Sequence, residues 1–311
     1  LHLDFHSTFG PIAGEPKESD LKQFSTACLV LCASALLAAQ TAPNPLARRY
    51  HEGETLRYHM TAVNEDWHYT ADASGTAKKT ASGAFVEEFG WTGMSSNGQP
   101  LSLSPAAAGF RQTLSLDPAW MPGGPSLADA EPKMVGPITD LFTFYVDLWL
   151  INKIGFLRRA GDHFHVANPQ PASWGDGTRV IVGKDHIDFD LNIQSIDEAN
   201  HTAVVVVQHV PPAHPKLEFP ADWMKDPVVP GSANNWIEVT KAEDGKYQAA
   251  AGKETFEVSL TVSTVDGRIL SGVMENPVVS SGRVCEDAAL TKCTPAQPHA
   301  IHRHVEIALQ P

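Results

Sequence analysis

Two H-x-H pairs, His163/His165 and His302/His304, carry the sharpest chemical suggestion in this sequence. On a strand, residues two apart share a face, so each pair can offer two imidazoles to one zinc or copper ion, and Glu306 extends the second pair to a third ligand. His186, Asp188 and Asp190 form another row spaced two apart, able to hold a hard cation or to serve acid–base chemistry. If its strand lay beside that of His302, His304 and Glu306, His186 or Asp188 could complete a site with them. The same spacing has a plainer source. In "AIHRHVEIAL", the alternation that buries Ile301, Val305 and Ile307 exposes His302, His304 and Glu306. In "GDHFHV" a Gly161-Asp162 turn feeds a strand with both histidines outside. We expect these rows to be the wet sides of strands, with a metal site as the alternative, and no cofactor is implied.

Other catalytic signatures are missing from the chain. G-x-S-x-G, H-E-x-x-H, the P-loop and the dinucleotide fingerprint are all absent. "AAAGKET" at 249–255 imitates the end of a P-loop, but Glu254 stands where a magnesium-binding hydroxyl belongs and the run feeds a strand. This leaves a non-catalytic protein ahead of an enzyme. The formal charge of −13, from 23 basic and 36 acidic residues, disfavours nucleic acid and polybasic contact with anionic lipid.

The elements that must position these residues are mostly strands. Of 311 residues, 42% are hydrophobic and 19% charged, with 23 Gly and 23 Pro, a turn-rich composition that suits β structure. Strict alternation places Leu56, Tyr58, Met60 and Ala62 on one face, and likewise Ile187, Phe189, Leu191 and Ile193, and Phe256, Val258, Leu260 and Val262. Residues 203–207 are apolar on both faces and read as a strand covered on both sides. Asn97-Gly98, Asp176-Gly177, Asp244-Gly245 and Asp266-Gly267 mark hairpin turns.

One segment, about 138–157, reads as helix. Pro137 suits its first turn, Asp140 its positive end, and Arg158-Arg159 lie past its negative end. Asp140, Thr143 and Asp147 form its only polar stripe, so it should be largely buried. Long Pro-rich loops at 117–137 and 210–235 interrupt the pattern without a linker, which favours a single β-rich domain over 41–311.

The N-terminal part reads as targeting sequence. Residues 21–40 have the form of a signal peptide, with an apolar run from about Ala27 to Leu37 that is short for a membrane span and is followed by the small residues Ala38, Ala39 and Ala42. Residues 1–20 are excluded from the mature protein. After cleavage only Cys285 and Cys293 remain, and in an exported, periplasmic or extracellular protein they are expected to pair.

"GETLRYHM" and "TVDGRILSGVMENP" resemble stretches of secreted bacterial β-rich proteins of uncharacterised families. The wider pattern, many antiparallel strands around one apolar helix behind a signal peptide, is similar to the lipoprotein-carrier-like half-barrels of the bacterial envelope. That resemblance implies a curved antiparallel sheet or half-barrel (α+β, mainly β) whose concave face holds a lipid or other apolar small molecule. The expected function is therefore a binder or carrier of an apolar or amphipathic ligand, with Phe142, Tyr145, Trp149, Phe256, Val258 and Leu260 as its lining. Besides the metal site, the other alternative is a structural or interaction component of the envelope whose loops contact a protein partner.

Overall fold

The computed structural model describes residues 44–65, 67–120, 122–123, 127, 130–167, 173–177, 180–184, 187–213, 217, 219–225, 234–242 and 244–311. The expected signal segment, residues 1–20 and His186 lie outside them. In chain order the elements are β1 (Thr55–Asn64), β2 (Trp67–Lys79), β3 (Phe85–Ser96), β4 (Gln99–Pro100), the short helix α1 (Pro105–Gly109), β5 (Arg111–Leu114), the main helix α2 (Val135–Ile154) and β6 (His163–Val166). They continue as β7 (Ser173–Gly177), β8 (Val180–Lys184), β9 (Asp188–Asp197), β10 (Thr202–Val210), β11 (Asn234–Lys241), β12 (Tyr247–Glu254), β13 (Phe256–Ser263), β14 (Ile269–Cys285) and β15 (Gln297–Leu309).

Among the described residues all strand pairs are antiparallel, about half of the residues are strand, and the sheet curls without closing. The long strand β14 is its branch point. Its first half pairs with β13, which leads through β10 and β9 to β6. Its second half pairs with β12, which leads through β11 and β8 to β7. Along its other edge runs β15, followed by β1, β2 and β3. Among the described residues two hydrophobic cores result. The larger lies between the curled sheet and α2, and the smaller gathers Met224, Ile237, Val239, Ala249, Ala251, Cys285 and Leu290.

Alternation accounts for the larger core. Leu56, Tyr58, Met60 and Ala62 of β1 and Val258, Leu260 and Val262 of β13 are all buried on the concave side. Helix α2 is apolar nearly all round, as a helix enclosed by protein should be, with Ile138, Leu141, Phe144, Leu148 and Ile151 almost wholly covered. By length and composition it could cross a membrane, yet here it fills the concavity of the sheet. It starts earlier than the Pro137 signal suggests and ends at Gly155, not Leu157. Gly155 takes the left-handed conformation (φ 66°) and returns its N–H to Ile151 O at 3.0 Å. Asp140 consequently lies beyond the first turn, and a side chain, not the helix dipole, meets its charge.

The turns also need correction. Asn97-Gly98 makes the expected two-residue hairpin, both residues at positive φ (48° and 74°) between paired Ser96 and Gln99. Asp176 and Gly177 instead lie within β7, opposite Ile181 and Val180. Strand β10 is covered on one face only: Ala203, Val205 and Val207 are buried, whereas Val204 and Val206 are half-buried on the convex side. Asp188, expected outside, is buried.

Candidate functional site: a histidine–carboxylate row

Strand register aligns one polar residue from each of six neighbouring strands on the convex face. His165 of β6 lies opposite Asp190 of β9, Asp190 opposite Gln208 of β10, and Gln208 opposite Glu257 of β13. Glu257 lies opposite Glu275 of β14, and Glu275 opposite His304 of β15. The two H-x-H pairs therefore end the same row. Four strand spacings separate β9 from β15, about 19 Å, so Asp188 does not join His302, His304 and Glu306 in one site.

Each end of the row has the same geometry. His304 directs Nδ1 at Glu275 Oε1 (2.7 Å) and Nε2 at Glu306 Oε1 (3.2 Å). His165 directs Nδ1 at Asp190 Oδ1 (2.7 Å) and Nε2 at Asp188 Oδ2 (3.4 Å). A neutral imidazole has one N–H, whereas two carboxylates facing both nitrogens call for two, so both rings are set up to be imidazolium. Hydrogen bonding to Asp190 raises the His165 pKa, and bonding to Glu275 and then Glu306 raises that of His304. Partial burial pushes Glu275 upward, but bonds from His304 and from His302 Nε2 (2.7 Å) win and hold it below the usual range.

Between the two ends, His163, Asp190, Asn192, Gln194, Gln208 and Glu257 border a shallow polar pocket of about 300 Å³, with Val206 as its one apolar wall. Gln208 Nε2 donates to Glu257 Oε2 at 2.7 Å. Among the described residues no three His, Cys, Asp or Glu side chains are placed to hold a metal ion. At His165 and His304 the nitrogens that would bind one are directed at carboxylates instead.

The concave side holds what sequence reasoning missed. Asp140 of α2 is paired with Arg303 of β15 and accepts from Tyr69 Oη at 2.6 Å. Burial and the Asp140 charge push the Tyr69 phenol well above its ordinary value, so it stays a donor. Two helical turns on, Asp147 receives His209 Nε2, 3.1 Å from each carboxylate oxygen. The His209 ring stacks on Phe256 (4.4 Å between centroids) and meets Phe189 edge-on (4.9 Å). The polar stripe of α2 is thus clasped at both ends by the sheet. The stripe is legible in the sequence; its partners come from strands far away in the chain.

The six expected lining residues come together on the concave side. Phe142, Tyr145 and Trp149 of α2, with Val258 and Leu260 of β13, are buried in the larger core, and Phe256 packs against it. Helix and sheet fill the space between them, and Trp149 Nε1 also donates to Asp117 O at 3.1 Å. Trp67, Trp91 and Trp236 are packed as well, while the Trp174 side chain lies outside the described residues.

Cys285 and Cys293 form a disulfide next to the smaller core. It closes a short loop, so opening it should cost about 2–3 kcal/mol by loop entropy. Cys285→Ser/Cys293→Ser is expected to lower the urea midpoint with little change in slope. An unchanged midpoint would show that Asp287, which accepts from Thr291 N and Lys292 N, suffices to hold the loop.

Comparison with protein families, curated proteins and solved structures finds no match to this chain.

Proposed function

We propose that the protein is a non-catalytic binder or carrier of an amphipathic ligand, acting after export in an oxidising compartment. The observation that carries this reading is the seat of α2: an apolar helix lies in the concavity of an open, curled sheet, held at its polar stripe by Arg303 and His209. An acyl chain entering between α2 and β13 would cover the same apolar surface that the helix now covers. The exchange would then change hydrophobic burial little, and affinity would rest on how readily the two clasps yield. The Cys285–Cys293 disulfide supports the oxidising compartment.

Titration with cis-parinaric acid tests the proposal. One-to-one, saturable emission is expected, with energy transfer from tryptophan that weakens in Trp149→Phe. Folded protein that gives no saturable signal would rule the reading out.

A second reading, an interaction component of the envelope, draws on Phe156 and Phe164. Their rings lie 5.8 Å apart at the surface, with Phe156 72% exposed. Retention of a partner by wild type and its loss in Phe156→Ser would favour it.

A further inference from the structure

Strand β6 is held to the sheet by very little apolar burial. It has four residues and, among the described strands, pairs only with β9. His163, Phe164 and His165 are all exposed, and only Val166 packs against the core. Elements with few buried contacts and solvent-facing hydrogen bonds open locally at low free-energy cost. For β6 the side-chain contacts to β9 therefore weigh more than they would in a central strand.

Those contacts are imidazole to carboxylate. His165 is held between Asp190 and Asp188, and His163 Nε2 lies 3.6 Å from Asp190 Oδ1. Asn192 and Gln194 of β9, Gln208 of β10 and Glu257 of β13 border the same pocket as His163 and Asp190. In the connection from α2, Asp162 accepts the backbone N–H groups of Arg158 and Arg159. On the opposite face of β10, His209 is committed to Asp147.

We propose that the His163/His165–Asp188/Asp190 cluster is an acid-set clasp, which docks edge strand β6 and the adjoining Phe156–Phe164 pair in mild acid and frees them as the solution becomes alkaline. When His165 is doubly protonated, both of its N–H groups meet carboxylates. After it loses one proton, one of those carboxylates faces a bare lone pair and the contact turns repulsive. The folded state favours the proton, so this contribution is complete below the ordinary histidine value of about 6.5. It is lost as pH rises through the higher folded value.

Hydrogen exchange read by mass spectrometry, corrected for intrinsic rate and compared at about pH 5.5 and about pH 8, tests the clasp. Residues 163–166 are expected to be about two- to five-fold more protected at the lower pH, the range open to exposed ion pairs. The difference should vanish in His165→Gln and persist in His59→Gln, which removes the separate His59–Asp72 contact between β1 and β2. Equal protection of residues 163–166 at the two pH values would overturn the proposal, as would a pH difference that survives in His165→Gln. Exchange across the rest of the sheet reports in the same experiment that each variant is folded.

Discussion

Arg48→Met is expected to cost about 3–5 kcal/mol of folding stability, because it strands a buried carboxylate. The guanidinium has no exposed surface, and neither does its partner Glu87. Nε and Nη2 each donate to Glu87 Oε1 at 3.2 Å, Nη2 also pairs with Glu54, and Nη1 donates to Arg49 O at 2.9 Å. Tyr50 lies under the guanidinium at 4.3 Å. Burial first, and the Glu87 charge second, push the Tyr58 and Tyr145 phenols upward, so neither gives up a proton. Removing the cation leaves Glu87 with no charge to answer its own. Arg48→Met/Glu87→Met should recover most of the loss, since a buried pair can often be replaced by apolar side chains at little cost. Urea midpoints of wild type and both variants decide the matter. A loss below about 1 kcal/mol in the single variant, typical of an exposed pair, would show that water reaches Glu87.

Arg303→Met should be comparably damaging at neutral pH, with a distinctive pH profile. Burial raises the Asp140 pKa above the unfolded value of about 3.9 even beside Arg303, and without Arg303 only the Tyr69 bond opposes a further rise. A carboxyl raised in this way contributes fully below the unfolded value and loses its contribution as pH climbs through the folded one. The penalty should therefore be small near pH 4 and approach about 3–5 kcal/mol by pH 7. Parallel melting curves across that range would contradict this account of Asp140. Tyr69 still donates to Asp140 in the variant, which limits how far the carboxyl can rise.

The sequence is most readable where one residue's neighbours decide its place. Strand alternation put Leu56 to Ala62 and Val258 to Val262 on the buried face, because a half-covered sheet leaves no other arrangement. It also put His302, His304 and Glu306 outside, and all three are exposed to some degree. The end of α2 could have been found as well. Gly155 directly follows the apolar run and is the usual residue at a left-handed cap, but the apolar Phe156 and Leu157 beyond it masked the signal. Glu87 was likewise within reach, since it shares parity with inward Phe89 and Trp91.

What lay beyond reach is convergence. Arg303 and Asp140 are 163 residues apart, His209 and Asp147 are 62 apart, and no local rule joins either pair. The convex row depends on six strands that keep their chain order but skip β7, β8, β11 and β12, which lie on another branch of the sheet. Hence single residues of the site were legible, and the row was not.

The position of β15 also has a consequence for how the chain is made. This strand lies between β1 and β14 and joins the N-terminal and C-terminal parts of the sheet. Until residues 297–309 have been synthesised, β1 has no partner on that edge and the curled wall around α2 has a gap one strand wide. The Arg303 clasp on the helix is missing over the same interval. A ribosome-bound chain therefore carries α2 incompletely sheltered until β15 has emerged.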